Sequence, residues 1–341
     1  MTILAVETSC DDTCAAVVDE DGTIRANVIS SQHTHDRFGG VVPEIAARQH
    51  LQVLDAVVAH ALAEADAGLD DVELVAATRG PGLIGALLVG FSHAKALAAA
   101  RGLPFVPVDH LDGHVAANFL RDAGGPFEPP FICLVASGGH TLLARVDEHA
   151  GFAVLGQTLD DAAGEAFDKG ARMLGLGFPG GPALERLAAD GDDEAFAFPG
   201  SDAGRARGGR RGALAGTLDF SFAGLKTSLL YTLRDLGDGA GAVRADLAAS
   251  YQRAIVDSLA GRCERALEAE GLARLAIGGG VAANGVLRAR LAGLGAELHA
   301  PSMALCTDNA AMIASAARYQ APLAYPDYLG LDAYATGERA A

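Results

Sequence analysis

Two histidines stand four residues apart in His110-Leu-Asp-Gly-His114. On a helix that spacing puts both imidazoles on one face, directly after an apolar run, Pro104 to Val108, that reads as a strand. A β-to-α junction commonly lies at the ligand edge of a sheet, so the pair is a candidate metal-binding element. With ten histidines in 341 residues, a chance pair at this spacing is the competing reading. A zincin-type protease mechanism is excluded: its glutamate base belongs beside the first histidine, where this chain has Leu111.

A second chemistry-bearing segment is Glu7-Thr-Ser-Cys-Asp-Asp-Thr13, with hydroxyls, backbone N–H groups and the adjacent carboxylates Asp11 and Asp12 on one turn. Hydroxyls and N–H groups hold phosphate oxygens, whereas carboxylates repel them unless a cation intervenes. Taken alone, the segment is equally an ordinary acidic hairpin turn. Its counterpart, Ser137-Gly-Gly-His-Thr141, has paired glycines that let a ligand approach the backbone. Two such tips facing each other would clamp one nucleotide.

Glycine-rich junctions at Gly80-Pro-Gly-Leu-Ile-Gly85 and Gly278-Gly-Gly-Val-Ala-Ala-Asn-Gly285 each follow an apolar strand and open a helix, whose N-terminus attracts anions. Neither fits a P-loop, and no acid is placed for a dinucleotide fingerprint. Close strand–helix packing suits the first junction; at the second, Asn284 leaves ligand contact open. In Asp160-Asp-Ala-Ala-Gly-Glu-Ala-Phe-Asp168, the carboxylates of Asp161, Glu165 and Asp168 are expected along one helix face. Glu165 pairs there with Lys169, and one carboxylate is available to a ligand hydroxyl. Four arginines between Arg205 and Arg211 form the basic patch of an acidic chain, either an RNA-phosphate contact or a solubilising loop.

These residues need elements to position them, and an internal duplication supplies the plan. At a constant offset of 128 positions, Leu4 corresponds to Ile132, Ser9 to Ser137, Thr13 to Thr141 and Val18 to Val146. Each copy reads as strand, polar turn, strand. Downstream of the first copy the pattern predicts a helix (42–64), a strand (74–78), a helix (83–100) and a strand (105–108). Downstream of the second it predicts helices at 162–174 and 245–270, a strand at 275–277 and a further helix. Strands alternating with helices imply α/β domains with largely parallel sheets. Two similar domains follow, 1–128 and 129–308. A C-terminal helix over 309–341 is expected to return to the first, and an irregular insertion lies near 190–219.

Composition narrows the classes further. Basic residues number 26 against 43 acidic, a net charge of −17, with no tryptophan, so the chain lacks the basic field and stacking surface of a free-standing nucleic-acid binder. No signal peptide or membrane span is readable, which predicts a soluble cytoplasmic protein. The five cysteines form no C-x-x-C pair and are expected to be reduced, most as small buried residues.

Read in order, the motifs resemble one family, the tRNA threonylcarbamoyladenosine transferases, called TsaD in bacteria and a KEOPS subunit elsewhere. The resemblance is carried by ETSCDDT, GGVVPEIAARQH, GPGLIGALLVG, HLDGH, LVASGGHT, DDAAGEAFDKGARMLGLGFPGGP, DFSFAGLKT, GGGVAANGVLR and CTDNAAMIA, and runs essentially end to end. It implies the duplicated actin, sugar-kinase and Hsp70-like (ASKHA) fold, two similar domains with a cleft between them. By the same resemblance His110, His114 and Asp308 are the ligands of one divalent metal ion, Fe(2+) or Zn(2+). Asp11, His110 and His114 are catalytic, and Val135, Ala136, Ser137, Gly138, Gly139, Asp168, Gly181 and Asn284 contact substrate. Asp12 stands where a glutamate is common and Ala282 where a serine is common.

The activity it implies is transfer of the threonylcarbamoyl group from threonylcarbamoyl-AMP to the N6 amine of adenosine 37, in the anticodon loop of tRNAs reading ANN codons. Partner proteins of the TsaB and TsaE types are implied too. A sugar kinase or ATPase of the same fold would share the tips but have no use for the histidine pair. A non-catalytic scaffold would have lost the metal ligands.

Overall fold

A computed structural model describes residues 1–122, 125–199, 214 and 216–335; the arginine stretch 205–211 lies outside the described residues. The chain divides into two compact units. The first comprises Met1–Pro129, Glu148–Gly151 and Pro301–Ala341, and the second Pro130–Asp147 and Phe152–Ala300.

In the first unit, strands β1 (Thr2–Glu7), β2 (Asp12–Asp19) and β3 (Ile24–Ser31) precede helix α1 (Pro43–Glu64). Strand β4 (Leu74–Gly80), helix α2 (Ile84–Arg101), strand β5 (Phe105–Asp109) and helix α3 (His110–Ala116) follow. The sheet order is β3-β2-β1-β4-β5, with β2 antiparallel to β1 and to β3, and β1, β4 and β5 parallel. Strands β1 and β2 are almost continuously apolar because both faces of the sheet are covered. Leu4, Val6, Val17, Val75, Leu54, Phe91 and Phe105 build the core on the face under α1 and α2.

The second unit repeats the plan. Strands β6 (Phe131–Ala136), β7 (Thr141–Val146) and β8 (Ala153–Gln157) lead into helices α4 (Ala163–Met173), α5 (Gly180–Ala188), α6 (Ala223–Leu236) and α7 (Arg244–Glu270). Strand β9 (Arg274–Gly278), helix α8 (Gly285–Ala292) and strand β10 (Glu297–His299) complete it, in the order β10-β9-β6-β7-β8. Read outward from the hairpin, this is the order of the first sheet. The duplication extends to register: Ile3 pairs with Val18 and Phe131 with Val146, Leu4 with Val17 and Ile132 with Arg145. Each expected hairpin gains a third antiparallel strand, and each sheet two parallel ones. Helix α7 is buried over much of its circumference, and its Tyr251 hydroxyl donates to the Ala166 carbonyl at 3.0 Å.

Helix α9 (Met303–Cys306) and helix α10 (Ala310–Ala317) return to the first unit. The helix expected over 309–341 therefore ends at Ala317. Pro322 and Pro326 lie in the segment that follows, and a proline can neither donate an N–H nor accept a helical residue before it. Four of the five cysteines are buried and all are free thiols. Among the described residues, no helix is long and apolar enough to cross a membrane.

Candidate metal centre and substrate-binding loops

The parallel pairing of β1, β4 and β5 brings the C-terminal ends of three strands to one sheet edge. There β1 ends in Glu7, β4 carries Thr78, and β5 runs directly into α3, which opens on His110. Asp109 caps that helix, its carboxylate accepting from the Leu111 N–H at 2.8 Å. The helical spacing does what the sequence expects: His110 and His114 project together, ring centroids 4.7 Å apart. Both are buried.

Asp308 joins them from 194 positions further on, on the turn between α9 and α10. Its Oδ1 lies 3.5 Å from His110 Nε2 and 3.4 Å from His114 Nε2. Three observations fit this group to a metal ion. One ligand atom from each of the three residues falls within 4.8 Å of the others. Among the described residues, neither His114 ring nitrogen has a hydrogen-bond partner, although the side chain is fully buried, and buried polar atoms are seldom left so. Finally, Glu7, Asp11, Asp12 and Asp308 concentrate negative charge here, and burial of such charge calls for a cation. Two imidazoles and a carboxylate suit Fe(II) or Zn(II).

The electrostatics reflect that crowding. Burial disfavours the charged form of His110, but the Asp308 and Glu7 carboxylates outweigh it and push its pKa up to about 9. Burial alone would raise the Glu7 carboxyl; the charge and hydrogen bond of His110 and the Thr78 hydroxyl hold it below its ordinary value. Asp12 is pushed up to about 6, chiefly by burial, opposed by a Ser31 hydrogen bond and reinforced by Asp308, Asp11 and Glu7. Asp11 sits half-buried on the turn between β1 and β2.

The Gly80–Gly85 junction packs as the sequence suggests. A Cβ on Gly82 would come within 2.7 Å of the Ser9 carbonyl oxygen, and the Leu83 N–H donates to that same oxygen at 2.8 Å. It serves to hold the first tip in place.

In the second unit, the tip 137–141 is closed by Ser137: its N–H donates to the His140 carbonyl at 2.8 Å, and its Oγ accepts from the His140 N–H at 3.1 Å. Gly138 and Gly139 are exposed and face open space, so their backbone is accessible. Val135 and Ala136 are buried whole and pair with Leu142 and Thr141 of β7, so the exposed part of this segment is Gly138 and Gly139. Gly279, at φ +84°, passes so close to β6 that a Cβ would meet the Ala136 carbonyl oxygen at 2.3 Å.

Asp168 accepts from the Gly180 N–H at 2.8 Å at the start of α5, beside Gly181. Burial raises its pKa, against the backbone donors of Gly180 and Gly181. The three carboxylates expected along one face do not converge. Asp161 precedes α4, and Lys169 binds both Asp161 at 2.7 Å and Glu165 at 2.8 Å, leaving Asp168 apart at α5. Asn284 caps α8, its Oδ1 accepting from Leu287 N–H at 2.9 Å while its Nδ2 donates to Gln252 at 2.9 Å.

Glu7, Ser9 and Thr78 are not distinguished as individual groups by any spacing in the sequence. The signal was present in Ile3-Leu-Ala-Val-Glu7, where an acid closes an apolar strand without an intervening turn residue.

The repeated five-stranded sheets define a class, the duplicated actin, sugar-kinase and Hsp70-like fold, here carrying a two-histidine, one-carboxylate group. Among solved structures the chain resembles component A of the Acidaminococcus fermentans (R)-2-hydroxyglutaryl-CoA dehydratase. The TM-score is 0.56 at 15% identity, over 96% of this chain and 99% of that one. The activator of the 2-hydroxyisocaproyl-CoA dehydratase from Clostridium difficile gives 0.51 at 13% identity, over 94% of each chain. At these identities the likeness concerns the fold alone.

The family model TsaD, tRNA N6-adenosine threonylcarbamoyltransferase, matches residues 23–315. Proteins of that name are 50% identical in Bordetella petrii, over 93% of this chain and 90% of that one, and 47% identical in Geobacter sp., over 98% and 95%. A third, from Clostridium botulinum strain 657, is 47% identical over 94% and 92%. The chain belongs to the tRNA N6-adenosine threonylcarbamoyltransferase family and is an enzyme of tRNA modification.

Proposed function

We propose that the chain transfers the threonylcarbamoyl group from threonylcarbamoyl-AMP to the N6 amine of adenosine 37 in tRNAs reading ANN codons. The observation that carries this reading is the group formed by the buried His110 and His114 with the half-buried Asp308 in a chain of this family. The N6–carbonyl bond forms, the bond from that carbonyl carbon to the phosphate oxygen breaks, AMP leaves with the electron pair, and the amine gives up a proton. Because the donor is an activated mixed anhydride, positioning and charge stabilisation suffice and no nucleophilic side chain is required.

His110, His114 and Asp308 hold one divalent ion, Fe(2+) foremost and Zn(2+) as the alternative. When bound, such an ion supplies Lewis-acid stabilisation of the phosphate or carbonyl oxygen. Asp11, on the turn between β1 and β2, acts with the histidines as a catalytic residue. The segment Val135, Ala136, Ser137, Gly138 and Gly139 forms the donor-binding strand end and tip, and the open faces of Gly138 and Gly139 support that role. Asp168, Gly181 and Asn284 complete the substrate contacts; the N–H groups at the start of α5 keep the Asp168 carboxyl aligned. The acceptor base comes from an anticodon loop, where an unpaired base is cheap to extrude. The enzyme works in the cytoplasm on its tRNA substrate, with TsaB- and TsaE-type partners.

The test incubates the protein with those partners, tRNA and threonylcarbamoyl-AMP, then digests the tRNA and quantifies the modified nucleoside. Product is expected from wild type and not from the His110→Ala, His114→Ala double variant. Equal product from both would refute the metal assignment. Phosphate release from ATP without tRNA modification would overturn the transferase reading.

A further inference from the structure

Glu7 is a fully buried carboxylate at the end of an otherwise apolar strand. Burying an isolated charge costs several kcal/mol, so its surroundings must satisfy it. They do so from three elements. The Ser9 N–H donates to Oε1 from the turn after β1. Thr78 Oγ1 donates to Oε2 at 2.5 Å from β4, and His110 Nδ1 lies 2.9 Å from the same oxygen at the start of α3. Ser9 Oγ stands 3.2 Å from that ring nitrogen.

Two of these donors fix the carboxylate and the third is a side chain of the His-His-Asp group. A carboxylate accepts and does not donate, so Nδ1 keeps its hydrogen and Nε2 is the nitrogen turned toward Asp308. The partner imidazole is held differently: among the described residues neither nitrogen of His114 has a hydrogen-bond partner, and its Nε2 lies 3.4 Å from Asp308 Oδ1. The directional constraint on the pair therefore enters through His110.

We propose that Glu7 is a positioning residue: through His110 Nδ1 it locks the ring and its tautomer so that Nε2 is presented, with strengthened basicity, to a divalent cation shared with His114 and Asp308. The proposal rests on the reading of those three residues as metal ligands. A carboxylate behind a ligating histidine typically contributes 10- to 100-fold in metal affinity. Thr78 and Ser9 in turn hold Glu7.

Metal-stripped full-length protein is titrated with Co(II), read by its visible absorption, and with Zn(II) in competition with a chromophoric chelator. Glu7→Gln keeps the shape, removes the charge and turns an amide donor toward Ser9 or Thr78. It is expected to weaken Zn(II) binding about 10- to 100-fold and to shift the Co(II) bands, with far-ultraviolet circular dichroism unchanged. Thr78→Val leaves the charge but removes one of the donors that hold Glu7 Oε2, and is expected to give a smaller loss in the same direction; it carries the test if Glu7→Gln does not fold. Variants that melt earlier but bind Zn(II) with wild-type affinity and spectrum would make Glu7 merely structural and overturn the proposal. Wild-type protein that binds neither ion, or binds both regardless of His114→Ala, would overturn the metal-site reading instead.

Discussion

Gly113 of α3 lies against Ile313 of α10 so closely that a Cβ placed on it would stand 2.8 Å from Ile313 Cδ1 and 3.2 Å from Met312 Cγ. The contact decides where Asp308 sits, because Asp308 is two residues before α10 and the histidines flank Gly113. Gly113→Val must displace the Ile313 and Met312 side chains and strain the helix contact. Its expected effect is a loss of tenfold or more in Zn(II) affinity, with a destabilisation of about 1–3 kcal/mol from overpacking, measured by chelator competition and urea unfolding. A valine variant with wild-type metal affinity would show that the helix contact does not set the ligand geometry.

Metal binding should stabilise the first unit. At free Zn(II) a hundredfold above Kd, linkage predicts about 2.7 kcal/mol, seen as a higher melting temperature than in chelator. Asp308→Ala, which removes the carboxylate but leaves both imidazoles, is expected to abolish most of that difference at the same ion concentration.

Asp12 gives a pH signature in metal-free protein. Its folded pKa of about 6 lies above the ordinary aspartate value, so the folded chain holds that proton more tightly. The associated stability is complete below about pH 4 and is lost as pH rises through 6, a cost on the order of 3 kcal/mol at neutral pH. Asp12→Asn should therefore raise the urea midpoint at pH 7.5 and leave it unchanged near pH 4. Bound metal should shrink the gain.

Two glycines of the second unit separate packing from binding. Gly279→Ala sets a Cβ against the Ala136 carbonyl at a positive φ, and should destabilise by more than about 1 kcal/mol. Gly138→Ala enters open space, so its stability should stay within about 0.5 kcal/mol of wild type. Affinity for threonylcarbamoyl-AMP should nevertheless fall about tenfold, roughly 1.4 kcal/mol, in isothermal titration. Unchanged affinity in Gly138→Ala would remove the second tip from the donor site.

Local regularities carried much of this molecule in one dimension. The 128-residue offset anticipated strand register as well as strand positions, since side-chain period and hairpin pairing are local properties of the chain. The i, i+4 histidines needed only a helix to become neighbours. The third strand of each sheet, α5 and α6 were not legible, for their apolar faces are short and make sense only against neighbours distant in sequence. The row of Asp161, Glu165 and Asp168 failed because the helix begins at Ala163 and Lys169 claims two of the three.

By itself the sequence determined the repeated α/β plan, the paired imidazoles, the glycine tips and, through its motifs, the family. Tertiary structure decided which groups meet. Glu7, Thr78 and His110 come together because β1, β4 and β5 run parallel side by side, which aligns their ends at one edge. Asp308 arrives only because α10 packs on α3 across Gly113. Neither adjacency is written in any local spacing, since each depends on how distant apolar surfaces find one another when the core closes.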